Sequence, residues 1–164
     1  MKPAALALQR FADKWGDPDL LPELVDSGDL AITEHRMGRR FPEAYVHAVT
    51  LVGLPLPTLS LSNSLIEADA DASDIEAFFT PEEITAGLNA HRTAATPAAF
   101  VAFASDSCGD RYGFLCTPGN GARPADGAVF QMDHETGEVT DVADSFLDWL
   151  LDYNQIAFVH FDEA

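Results

Sequence analysis

Apolar side chains recur at helical spacing through the first third of the chain. In the segment 4–15 they fall on one face of a helix, which Gly16 and the following Asp-Pro step end. Pro42 suits the first turn of a later helix, and Gly38 suits the C-cap of the helix before it. Three further helices are therefore predicted, over about 20–25, 30–39 and 42–52.

The middle of the chain combines an ambiguous segment with a clear helix start. Two prolines interrupt the apolar segment 53–66, which therefore predicts a loop followed by an edge strand. The sequence T-P-E-E-I at 80–84 has the signature of a helix N-terminus. Thr80 can cap this helix, Pro81 suits its first position, and Glu83 can complete a capping box.

Beyond residue 99, aromatic and β-branched runs alternate with short turns, which is typical of strands. Strands in direct succession favour an antiparallel meander. A last helix is predicted to begin at Asp144 or Ser145 as N-cap. The sequence thus predicts one α+β domain over 1–164, an antiparallel sheet with helices packed on one face. The predicted strands cover 99–104, 111–116, 128–133 and 138–142.

Acids and glycines occupy the turns of this predicted sheet. Asp106, Gly109 and Asp110 lie in F-A-S-D-S-C-G-D-R-Y, and Gly137 lies in D-H-E-T-G-E. Glycine reaches backbone conformations that strain other residues, and aspartate accepts hydrogen bonds from turn N–H groups. We therefore interpret all four as structural turn residues, with contact to a partner as the alternative for the turn at 106–110. Two carboxylates fall short of the six or more oxygens that Ca²⁺ takes, so no metal site is predicted.

The chain is strongly acidic, with 27 Asp and Glu against 9 Lys and Arg and a net charge of −18. Basic side chains are absent between Arg40 and Arg92 and again after Arg123. Such a surface repels nucleic acid and anionic lipid, because both bind through basic contacts. A basic protein is the natural partner, since opposite fields speed encounter, although acidity can also serve solubility alone.

Two groups of acids are candidate partner-binding surfaces. One recurs every four residues along the last predicted helix, where each like-charged pair costs about 0.2–0.5 kcal/mol; a solvated face explains the same pattern. The other surrounds the predicted hairpin. A tryptophan on the last helix lies at the core margin or anchors an interface. The candidate partner-binding residues are Asp144, Asp148 and Asp152, then Asp133, Glu135 and Glu138, and finally Trp149.

His134 lies between Asp133 and Glu135, which raises the question of a general base. On a strand, neighbouring side chains point to opposite faces, so only Asp133 and Glu135 are expected to share a side. A small enzyme using Asp110, Asp133 and His134 requires these groups within hydrogen-bond reach. We favour a solvated hairpin and assign no catalytic residue.

Cys108 and Cys116 are too few for a disulfide framework or a zinc site, and we expect free thiols. The short N-terminal apolar patch is interrupted by Gln9 and Arg10, so we do not expect it to act as a signal peptide. No run approaches the roughly 18–20 apolar residues that span a membrane. The expected protein is cytoplasmic and has no cofactor.

Three segments together resemble the SUKH superfamily, which includes fungal cell-wall-synthesis regulators and many bacterial immunity proteins. They are M-G-R-R-F-P-E-A-Y, F-A-S-D-S-C-G-D-R-Y, and D-H-E-T-G-E-V followed by V-A-D-S-F-L-D-W-L. The resemblance covers about residues 29–154 and leaves 1–28 as an N-terminal helical extension. It implies a non-enzymatic α+β binding domain, and bacterial members typically neutralise a cognate toxin by direct contact.

The expected function is therefore that of an immunity protein, a monomer or weak homodimer that binds a basic toxin domain through its acidic surface. The alternative is a regulatory or scaffold domain whose basic partner is not a toxin.

Overall fold

A computed structural model describes residues 1–160 of the chain and confirms the α+β class. Within these residues, no helix is long and apolar enough to cross a lipid bilayer. The helices are α1 (Pro3–Trp15), α2 (Ser27–Met37), α3 (Glu43–Leu51), α4 (Leu59–Glu67), α5 (Pro81–Ala86) and α6 (Phe146–Asn154). The strands are β1 (Arg39–Arg40), β2 (Ala77–Phe78), β3 (Phe100–Ser105), β4 (Arg111–Leu115), β5 (Thr117–Pro118), β6 (Val129–Met132) and β7 (Val139–Ala143).

The larger sheet has the strand order β2–β3–β4–β6–β7, and all of its neighbouring strands are antiparallel. The strands β3, β4, β6 and β7 follow one another in chain order, which confirms the predicted meander. Between β4 and β6, the chain leaves this sheet so that β5 pairs with β1, with Thr117 opposite Arg40. A register shift between Ala102 and Ala104 marks an irregularity in β3.

Helix ends follow local capping rules where the sequence carries them. Thr80 accepts a hydrogen bond from the N–H of Glu83, whose side chain accepts one from the N–H of Thr80, so the predicted capping box is present. Gly38 ends α2 at a φ of 66°, a left-handed conformation that glycine adopts without steric cost. Ser145 is the N-cap of α6 and accepts a bond from the N–H of Asp148.

Two predicted elements are wrong, both near prolines. The segment 20–25 is not helical, because the N–H and C=O of Glu23 bond to the backbone of Leu54. The segment 53–66 holds no edge strand. Its second half is α4, and Leu61, Ser64 and Leu65 are buried at helical spacing. The edge strand of the larger sheet, next to β3, is β2.

An aromatic cluster connects the helices to one face of the sheet. Phe103 of β3 and Phe114 of β4 are stacked at 4.6 Å between ring centroids, and the Tyr45 ring of α3 lies 5.4 Å from Phe103. From α6, the Phe146 ring lies 5.7 Å from Phe103. Such pairs add about 0.5–1.5 kcal/mol each beyond the area they bury. On the opposite face, Phe100 is buried as well.

The N-terminal helix belongs to this same core. Phe11 and Trp15 of α1 are fully buried. The Trp15 indole N–H donates to the backbone oxygen of Tyr153, and the side chain of Asn154 donates to the backbone oxygen of Ala7. Helix α1 therefore packs directly on α6 and fixes its position at the edge of the core.

Candidate protein-binding surfaces

Helix α6 and strand β7 line an open groove that carries four carboxylates. The groove has a volume of about 460 Å³. We call it the acidic groove. Its acids are all exposed side chains, three from α6 or the residue before its cap and one from β7. The lining residues are Asp141, Val142, Ala143, Asp144, Asp148, Leu151, Asp152 and Gln155.

Two hydrogen bonds at the start of α6 position this groove. The Asp126 side chain accepts a bond of 2.9 Å from the N–H of Phe146, and Ser145 accepts one of 3.0 Å from the N–H of Asp148. Because Ser145 is the cap, Asp144 stays outside the helix and faces the groove. The candidate residues Asp144, Asp148 and Asp152 therefore lie together, as the four-residue spacing suggested.

Sequence reasoning missed Asp141, which joins these acids from β7. Its strand neighbour across the ladder is Phe130, and no spacing along α6 points to it. Only the packing of β7 beside α6 brings the two elements to one groove. A search for acids just before the helix cap, on the preceding strand, is the signal that could have found it.

The acidic groove has no internal counter-charge. The ion pairs within residues 1–160 use Lys2, Arg123 and His134, and none reaches a carboxylate of the groove. Partial burial raises the pKa of Asp152, and the neighbouring charge of Asp148 raises it further. Both causes disfavour the ionised form, so this carboxylate carries its charge at a cost to the folded protein.

The second group of acids surrounds the β6–β7 turn, over residues 133–138. Asp133 Oδ1 accepts the N–H groups of Glu135 and Thr136, and these bonds lower the pKa of the Asp133 carboxyl. Glu135 and Glu138 are exposed. Gly137 has a φ of 73°, and a Cβ there would lie 2.6 Å from the Thr96 hydroxyl. The turn is thus a fixed support for two solvent-facing carboxylates.

His134 in the β6–β7 turn contacts the β3–β4 turn, contrary to the expectation of a solvated hairpin. Its Nδ1 lies 2.6 Å from Asp110 Oδ1, and its ring packs over Gly109. Asp110, Asp133 and His134 offer one ligand atom each within 4.8 Å of one another. This spread is compatible with a shared metal ion, whereas among these three groups only the Asp110–His134 pair lies at hydrogen-bond distance, and Asp110 and Asp133 each already accept backbone N–H groups.

Asp110 has a clear electrostatic effect on its partner. Its hydrogen bond to the ring raises the pKa of His134, and the charges of Asp110, Glu135 and Asp133 act in the same direction. The His134 side chain is 37 % exposed, so solvent screens these charges. The pair joins the β3–β4 turn to the β6–β7 turn and can take up a proton at its ring.

The β3–β4 turn itself is organised by a buried carboxylate. Asp106 is 1 % exposed, and its Oδ1 accepts the N–H groups of Cys108 and Asp110 at 2.9 Å each. Its Oδ2 accepts a bond from the side-chain amide of Gln131. Burial raises the pKa of this carboxyl. Gly109 has a φ of 96°, which only glycine adopts readily, so the turn depends on both residues.

Trp149 lies in the core, which corrects its assignment as a candidate interface residue. Its side chain is 2 % exposed and its ring centroid lies 5.2 Å from Phe103 and 5.1 Å from Tyr112. The inward face of α6 comprises Phe146, Trp149, Leu150 and Tyr153. No part of the indole forms a surface for a partner.

Both cysteines are free thiols. Cys108 is exposed in the β3–β4 turn and Cys116 is buried. Burial raises the pKa of the Cys116 thiol to about 12, so this sulfur stays protonated at neutral pH.

The model of the SMI1 / KNR4 family (SUKH-1) matches residues 24–152 of this chain. The matched segment contains all three motifs of the resemblance, which is thereby confirmed. It also contains every carboxylate of the acidic groove and of the β6–β7 turn. No curated protein matches the sequence.

Proposed function

Because the chain belongs to the SMI1 / KNR4 family (SUKH-1), we propose that it is a non-enzymatic binding domain and, more specifically, an immunity protein. It binds a basic toxin domain through its acidic surface and blocks that domain by occlusion. The observation that carries this proposal is the acidic groove, where four exposed carboxylates meet without a cation.

The carboxylates of the acidic groove lower the stability of the isolated protein. Like charges on one helix face repel, and the pKa of Asp152 is raised first by partial burial and then by the neighbouring charge of Asp148. A basic partner offsets the repulsion, because its Lys and Arg side chains supply the missing counter-charge. The same field steers encounter and speeds association at low salt.

The acid–base candidates are already engaged in contacts within the fold, which supports a binding function without catalysis. Asp110 and Asp133 hold turn N–H groups, and His134 pairs with Asp110. These contacts fix the β6–β7 turn, which carries Glu135 and Glu138, so this second surface supports recognition. The two free thiols suit a reducing cytoplasm, and a monomer or weak homodimer leaves both surfaces open.

A growth-protection experiment tests the proposal. The chain is used to capture its partner from its own cells, and the toxin domain so identified is co-expressed with each variant. Asp141→Asn, Asp144→Asn, Asp148→Asn and Asp152→Asn are combined in one variant. The control combines Glu67→Gln, Asp69→Asn, Asp71→Asn and Glu76→Gln, which removes the same charge from exposed positions outside the groove.

The original chain and the control should protect growth, and the groove variant should lose both capture and protection. Protection by the groove variant equal to that of the original chain would contradict the proposed surface. A captured partner that is a housekeeping protein, with no toxin bound, would favour the regulatory or scaffold alternative.

A further inference from the structure

A second groove lies between the segment 23–26, helix α2 and the start of α5, and it has a volume of about 410 Å³. We call it the α2–α5 groove. It shares no lining residue with the acidic groove. Its lining residues are Glu23, Leu24, Val25, Asp26, Asp29, Ile32, Thr33, Arg36, Leu54, Thr80, Pro81, Glu82 and Thr85.

Large apolar side chains are exposed in this groove. Leu24 is 77 % exposed and Ile32 is 52 % exposed, while Val25 and Leu54 are buried beneath them. Leu21, which precedes the groove in the chain, is 94 % exposed. Apolar side chains concentrated in a concave surface with a polar rim are typical of protein-binding sites.

The rim of the α2–α5 groove is acidic. Glu23, Asp26, Asp29 and Glu82 contribute four carboxylates, against the single cation of Arg36. None of these acids takes part in the ion pairs found in residues 1–160. A complementary ligand therefore presents apolar side chains at its centre and Lys or Arg at its flanks.

The backbone around the groove decides the conformation of that ligand. No strand of a sheet lines it, and the N–H and C=O of Glu23 are already bonded to Leu54. A ligand in extended conformation would find only this single bridged residue pair, rather than the edge of a full strand, to satisfy its backbone. A helix satisfies its own backbone hydrogen bonds and needs only a matching side-chain surface.

From these observations we infer that the α2–α5 groove binds an amphipathic, basic helix of another protein. Leu24 and Ile32 contact the apolar stripe of that helix, and Glu23, Asp29 and Glu82 pair with its flanking cations. The inference is independent of the toxin and of the acidic groove.

A designed peptide tests the inference. The probe is a labelled 18-residue peptide of Leu and Lys, with Leu at helical spacing on one face. A scrambled peptide of identical composition has no apolar stripe. Dissociation constants are measured by fluorescence anisotropy, and the binding site is mapped by amide chemical-shift changes in the full chain.

Leu24→Ser and Ile32→Ser should each weaken binding of the striped peptide by about tenfold or more, which corresponds to about 1.4 kcal/mol. Ile66→Ser is the matched control, since Ile66 is 77 % exposed, as Leu24 is, and lies outside the groove. It should leave the affinity unchanged. All three side chains are more than half exposed, so the variants should fold, and circular dichroism verifies this.

The charge of the rim is tested in the same assay. The combined variant Glu23→Gln, Asp29→Asn and Glu82→Gln should bind more weakly and show less salt dependence than the original chain. Equal affinity for the scrambled peptide would overturn the inference, because the net charge of the peptide alone would then explain binding. Shift changes confined to residues 141–155, or a self-associated chain that Leu24→Ser dissociates, would overturn it as well.

Discussion

The contact between His134 and Asp110 joins two turns that lie 24 residues apart in the chain. Sequence reasoning placed each residue in its turn correctly. It could not foresee the contact, because the antiparallel pairing of β4 and β6 brings the two turns to the same end of the sheet. A histidine flanked by two acids suggested catalysis, whereas the structure uses its ring to hold the turns together.

Substitution of His134 should change how stability depends on pH. Its folded-state pKa is raised, so the protonated ring stabilises the fold fully below the ordinary value of 6.5, and that contribution is lost as pH rises through the raised value. His134→Asn should therefore remove part of the decline in unfolding free energy as the pH rises above 6.5. Urea denaturation at several pH values measures this.

Asp110→Asn should remove the same part of the pH dependence, and the double variant should add little to either single one. An unchanged pH slope in His134→Asn would show that the ion pair contributes nothing to stability.

Trp149 shows where residue-level reasoning from a helical pattern fails. Its neighbours Leu147 and Leu151 are equally apolar but only partly buried, whereas Trp149 and Tyr153 are buried. Helix α6 is apolar over most of its circumference, so its sequence does not define the buried side by itself. That side is set by the sheet aromatics and by α1, which contact it from two directions.

At the scale of elements, local capping signals were predictable and proline-rich segments were not. The capping box at Thr80 needs only four residues and forms as expected. Helix α4 begins after Pro57, and its Leu-Ser alternation at 59–62 imitates a strand. The burial of Leu61 and Leu65 against the core decides in favour of the helix. Tertiary contact, rather than intrinsic preference, determines that segment.

Helix α6 provides a stability prediction. The raised pKa of Asp152 means that its ionised carboxylate destabilises the folded state at neutral pH, an effect lost as the group becomes protonated. Asp152→Asn should raise the unfolding free energy by about 0.2–0.5 kcal/mol at low salt, the value of one like-charge helix pair. The gain should shrink at high salt, because salt screens the repulsion.

Thermal and urea unfolding at two salt concentrations measure this change, with Glu76→Gln as a control at an exposed position outside the helices. A loss of stability in Asp152→Asn would contradict the view that the charges of the acidic groove lower the unfolding free energy.

At the scale of the whole molecule, net charge leads to the prediction of a basic partner but does not identify the place of contact. The absence of Lys and Arg after Arg123 leaves the acidic groove and the β6–β7 turn without nearby cations in the sequence. The α2–α5 groove was invisible at this level, because it combines residues from three separate segments. Its exposed leucine, Leu24, lies in the stretch 20–25, for which the sequence wrongly predicted a helix.

The most direct test of the central claim is the rate of association between the chain and its captured toxin domain, measured by stopped-flow at increasing salt. Two proteins should show an association rate that falls by about tenfold between low and physiological salt. They are the original chain and the control variant, which has the same net charge as the groove variant. The variant that lacks the four charges of the acidic groove should associate more slowly and respond weakly to salt. Equal rates and equal salt dependence in all three proteins would contradict the claim.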